Sequence, residues 1–92
     1  MRSKGNLSDG PTPTQLLGSA LRARRKALGL DQANVAALAN VGLAFLYELE
    51  HGKATTRIDK VLAVLRVLGL SLHLQEDKQV LSVAPSLGGE DT

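Results

Sequence analysis

The chain contains no cysteine. That excludes disulfide staples, thiol nucleophiles and cysteine–zinc sites. Histidine is scarce too: His51 and His73 lie far apart without partner ligands, so no metal site is expected. No apolar run approaches the roughly 20 residues that a membrane helix needs. The opening stretch, MRSKGNLSDGPT, has charges but no apolar core of a secretory signal. These absences predict a cytoplasmic chain with no membrane partner. Also missing are a glycine-rich phosphate loop, a paired-carboxylate site and a nucleophile–base arrangement. Neither enzymatic activity nor a cofactor is therefore expected.

What is present is a short, basic chain. Its 92 residues make one domain at most. A domain of that size buries only about 60% of its unfolded surface, so pairing is a common remedy for marginal stability. The net charge of +2 is unevenly placed. Between Thr12 and Gln75, Arg22, Arg24, Arg25, Lys26, Lys53, Arg57, Lys60 and Arg66 face Asp31, Glu48, Glu50 and Asp59, a balance of +4. From Glu76 onward, Glu76, Asp77, Glu90 and Asp91 face Lys78, a balance of −3. A basic body with an acidic tail suits a polyanionic partner.

The periodicities divide the chain into three parts. Residues 1–11 are polar and aperiodic, a disordered arm. Residues 12–75 form the folded domain, and 76–92 are an acidic, mostly flexible tail in which Gln79–Val83 is a candidate weak strand. Thr12, Pro13 and Gln15 form a capping box for a first helix. Leu16, Leu17, Ala20, Leu21, Ala27 and Leu28 recur along it at helical spacing, and Gly29 stops it. Asp31 caps a second helix carrying Val35, Ala36, Leu38 and Ala39. After Asn40-Val41-Gly42, a third runs from Leu43 to Glu50 with Leu46 and Leu49 at core spacing. Thr55 or Thr56 caps a fourth, which runs to Leu68 and is stopped by Gly69. Leu70-Ser71-Leu72-His73-Leu74-Gln75 then alternates apolar and polar, as a strand does. The expected fold is mainly α: four helices with a short C-terminal β-strand.

The segment Asp31 to Lys53 sets two short helices about a tight turn, with Ala36, Val41, Leu46 and Leu49 as the interlocking core. That arrangement projects one helix into a DNA major groove. Here the chain resembles the Xre/Cro-type, lambda-repressor-like superfamily. The likeness rests on Arg25, Gly29, Leu30, Gln32, Leu38, Ala39, Val41, Leu46, Leu49, Glu50, Gly52 and Lys53. It is most similar to the HipB-like antitoxins, on VGLAFLYELEHGKATTRIDKVLAVLRVLGLSLHL, in which the fourth helix leads directly into the strand. Most relatives have a fifth helix there. The resemblance implies a repressor of its own operon that binds double-stranded DNA at a palindromic operator and partners a HipA-like kinase toxin. A stand-alone Xre repressor without a toxin and a protein-interaction adaptor that has lost DNA binding are the alternatives.

The resemblance also implies roles for single residues. Arg25 and Glu50 form a partly buried ion pair, in preference to the phosphate contact that an arginine could also make. Gln32, in the first turn of its helix, contacts DNA. Lys53 and Thr55 or Thr56 suit phosphate contacts, the threonines also suiting caps. The reading positions are Gly42, Leu43, Ala44, Phe45 and Tyr47, with Phe45 either reader or core. Relatives usually carry Ser, Thr, Gln or Arg there. This sequence has few groups for base edges, so phosphate contacts and DNA shape are expected to carry much of the binding. A two-fold homodimer is expected to bury Val64, Leu65 and Leu68 of the fourth helix with Leu70, Leu72 and Leu74 of the strand, pairing the strand with its own copy across an intersubunit sheet.

Overall fold

The computed structural model describes residues 10–76. Four helices follow in order: α1 (Pro13–Ala27), α2 (Gln32–Ala39), α3 (Leu43–Glu50) and α4 (Ile58–Val67). Local chemistry sets their starts. The Thr12 hydroxyl accepts from the Gln15 backbone N–H at 3.2 Å, and the Gln15 side chain accepts from the Thr12 N–H at 2.9 Å. This reciprocal box satisfies two otherwise orphaned donors. At α2 the Asp31 carboxylate accepts from the Asn34 N–H at 2.8 Å.

All four helices end in the same way. The residue after each helix turns left-handed or precedes one that does, at Gly29, Asn40, Gly52 and Gly69. The next N–H then reaches back over the last turn: Leu30 to Arg25, Val41 to Ala36, Lys53 to Glu48 and Leu70 to Leu65, at 2.8–3.1 Å. Carbonyls left free at each helix end are thereby paired.

Leu21, Val35, Leu46, Val64 and Leu68 are fully enclosed, and Ala36, Ala39, Leu49, Val61 and Leu65 complete the core. Within it α1 packs on α3, and α2 packs on both α3 and α4. Arg24 of α1 fastens the end of α4, its Nε donating to the Leu68 carbonyl at 2.9 Å.

Several expectations are corrected. Helix α4 is capped by Arg57, not by Thr55 or Thr56: the Arg57 carbonyl accepts from Val61, and no side chain caps the turn. Leu70–Gln75 forms no strand among the described residues. A strand needs a neighbour to complete its hydrogen bonds, and the helical body offers none. Leu70 packs against the core, but Leu72 and Leu74 are exposed, at 51% and 90%, so the alternating face does not close over α4. Val64, Leu65 and Leu68 are buried in the chain's own core rather than left on its surface. Leu38, at 68% exposure, faces outward from α2, and Val41 is half-buried. Residues 1–9 of the arm and 77–92 of the tail, including Gln79–Val83, lie outside the described residues.

Candidate nucleic-acid interface

The turn between α2 and α3 is made by Asn40, whose left-handed backbone (φ 57°, ψ 46°) reverses the chain in few residues. An asparagine tolerates that region because its short amide adapts locally. Near the turn Ala36 is buried in one core with Leu46 and Leu49 of α3. Helix α3 is thus held by one face. The other, carrying Leu43, Ala44, Tyr47, Glu48 and His51, is exposed. Its N-cap is Gly42, which supplies no side-chain cap.

A buried polar network fixes the far end of α3. Arg25 Nε donates to Glu50 Oε2 at 2.7 Å, and a terminal Arg25 nitrogen donates to Oε1 at 3.0 Å. The other terminal nitrogen donates to the Leu30 carbonyl at 2.9 Å. The Glu50 side chain is 1% exposed and that of Arg25 is 9% exposed. Burial pushes the Glu50 carboxyl up, but hydrogen bonds from Arg25 and Gln32 and the Arg25 charge outweigh it, leaving Glu50 below its ordinary value. The same hydrogen bond holds Arg25 above its own ordinary value, against burial. Gln32 joins the network from the start of α2: its Nε2 donates to Glu50 Oε1 at 3.0 Å. Its side-chain amide is therefore already engaged, and the residue is half-buried.

Lys53 follows α3 and pairs with Glu48 at 3.1 Å, both side chains half-exposed. Thr55 and Thr56 are exposed beside it, around an open concavity that reaches Phe45 and Arg57. Phe45 is half-buried against the core, with the Lys60 ammonium 5.5 Å from its ring centre. Tyr47 stacks on His51 with ring centres 4.1 Å apart, and His51 Nδ1 lies 2.8 Å from the Tyr47 carbonyl. Gly42, Leu43, Ala44 and Tyr47 are thus exposed, while Lys53, Thr55 and Thr56 beyond the helix line a concavity with Phe45 and Glu48. Phe45 is turned partly away, and Gln32 meets Glu50.

Two positioning residues escape a reading of the sequence. A Cβ on Gly18 would meet the Leu49 carbonyl and stand 2.7 Å from that of Glu50. Gly18 therefore lets α1 lie directly on the C-terminal turn of α3. Thr14 donates its hydroxyl to the Gly52 carbonyl at 3.0 Å, tying the start of α1 to the end of α3. A glycine inside an otherwise well-capped helix is the one signal that points to such a contact.

A family model described as helix-turn-helix matches residues 21–75, the segment from α1 through the chain after α4. The chain belongs to the Xre-type helix-turn-helix family. In this family's arrangement α2 and α3 are the paired helices, and α3 is the one projected outward. The chain is 44% identical over 63 residues to an uncharacterized HTH-type transcriptional regulator, y4mF, of Sinorhizobium fredii; the match spans 68% of this chain and 82% of that one. Among solved structures, it is similar to the clp gene regulator ClgR from C. glutamicum, with a TM-score of 0.61 and 31% identity over 67% of this chain and 80% of that one.

Proposed function

We propose that this chain is a DNA-binding transcriptional regulator in which α3 enters the major groove. The observation that carries the reading is the fixed presentation of α3. Its inner face is locked by Ala36, Leu46 and Leu49, and its far end by Arg25, Glu50 and Gln32. Its outer face is free, with Lys53, Thr55 and Thr56 beside it for phosphates. Both relatives are named as regulators, which supports the same reading. The protein acts as a homodimer on a palindromic operator, through the outward-facing Leu72 and Leu74. A gel shift with duplex DNA tests it. Binding weakens steeply with salt, because displaced counterions drive it. Binding indifferent to salt, or none at low salt, overturns the proposal.

Within that reading the chain is an autorepressing antitoxin of the HipB-like kind, partnered by a HipA-like kinase. Its support is the non-helical chain that follows α4 through Glu76, where most relatives place a fifth helix. Co-expression with the product of an adjacent kinase-like gene yields a stable complex. Free kinase under the same conditions leaves the stand-alone repressor. A protein-interaction adaptor is the competing class, favoured by the apolar start of α3.

A further inference from the structure

The exposed face of α3 has little with which to read hydrogen-bonding base edges. Its first turn presents Leu43, 52% exposed, and Ala44, also exposed, from a glycine cap that adds no side chain. The polar groups farther along are engaged or turned away. Glu48 accepts from Lys53, and His51 Nδ1 is spent on the Tyr47 carbonyl. The Tyr47 ring is drawn by stacking toward His51, away from the first turn. Its hydroxyl is a single group without the paired donors that recognise guanine. Phe45 is held partly inward beneath Lys60.

From this geometry we infer that α3 reads DNA by the C5-methyl groups of thymine, with Leu43 and Ala44 as the contacting residues. The inference rests on the DNA-binding reading above and names what that surface selects. The N-terminal residues of the second helix are those that reach base edges in this architecture. Against a G·C pair, the Leu43 side chain would cover N7 and O6 and leave both acceptors unpaired, an unfavourable exchange. Against an A·T pair, the thymine methyl projects into the groove and meets an apolar surface. One such methyl is worth about fourfold in affinity when removed from water.

The test begins by enriching duplexes from a randomised pool with the full-length chain. The enriched duplexes are then resynthesised with uracil in place of thymine, which deletes only the methyl. Thymines recur at fixed positions, and the uracil duplex binds about fourfold more weakly per contacted methyl. Leu43→Ser and Ala44→Ser lie on exposed positions and leave the thermal melt unchanged. Leu43→Ser binds thymine and uracil duplexes alike while keeping the wild-type salt dependence. Equal binding of both duplexes by the wild type, within about twofold, overturns the inference while leaving DNA binding intact. So does a thymine preference that survives in both variants, since that preference would come from duplex shape. Failure to enrich or shift any duplex at low salt removes the DNA-binding reading and this inference together.

Discussion

At the scale of single residues, the chain places its least obvious chemistry where α1 crosses α3. Gly18 sits mid-helix, where exchange for alanine ordinarily gains about 1 kcal/mol of helix stability. Here the added methyl would run into the carbonyls of Leu49 and Glu50. Two packed backbones cannot both give way, so Gly18→Ala lowers the melting temperature; a raised one would show that the helices part freely. Glu50 carries a second consequence. Its folded pKa lies below the ordinary value, so its contribution to stability is present above the unfolded carboxylate pKa. That contribution is lost as pH falls through the lowered folded value. Acid titration of stability therefore shows a loss in wild type that is reduced in Glu50→Gln. Matching acid profiles would remove Glu50 from the account. Glu50→Ala strands the enclosed Arg25 charge and destabilises by about 3–5 kcal/mol. The Arg25 and Glu50 positions were legible from the family likeness. The Gln32 link was not, because a polar residue in a first helical turn gives no sign of whether it faces inward or outward.

At the scale of elements, capping and stop signals placed the helices, except for the start of α4. Thr12, Asp31, Gly29, Gly52 and Gly69 each have a local backbone job that sequence chemistry announces. Faces were less legible. The apolar excess on α4 suggested a surplus for a partner, yet Val64, Leu65 and Leu68 are used up by packing on α2 and the rest of the core, while Leu38, Ile58 and Leu62 stay outside. Short helices carry too few turns for periodicity alone to decide which apolar residue is left over. The start of α4 was misplaced because Thr55 and Thr56 look like caps but stand in the loop before Arg57, the residue that caps the helix. Two substitutions separate the elements' roles. Leu49→Ala opens the α3 core contact and costs about 2–5 kcal/mol, read as a lowered melt. Lys53→Ala removes only an exposed pair with Glu48, worth at most about 1 kcal/mol. It leaves the melt nearly unchanged, weakens DNA binding across sequences, and shallows the salt slope by about 0.9 per protomer bound, the share of one phosphate each. A Lys53→Ala melt as low as that of Leu49→Ala would make the residue structural instead.

At the scale of the whole molecule, one small domain presents a single recognition helix, and a regulator reading two half-sites needs a second copy. Exposed apolar residues that could join copies include Leu38, Ile58 and Leu62, and, after α4, Leu72 and Leu74. Leu72 and Leu74 are exposed, Leu70 anchors their base on the core, and the backbone from Leu70 to Glu76 has no ladder partner among the described residues. A second chain running antiparallel would satisfy those backbone groups and cover both leucines at once. To read a palindrome, the pair must set its two α3 helices on one face about 34–36 Å apart, one turn of DNA. This is the intersubunit sheet that the alternating sequence suggested, without Val64, Leu65 and Leu68, which the core buries. Neither Leu72 nor Leu74 belongs to that core, so Leu72→Lys and Leu74→Lys separate association from folding. Sedimentation equilibrium at micromolar concentration gives a dimer for wild type and a monomer for the double variant. Circular dichroism retains the helical content of the variant, and its affinity for a palindromic duplex falls to that for a single half-site. A wild-type monomer, or a double variant that still dimerises, would place the interface elsewhere on the surface.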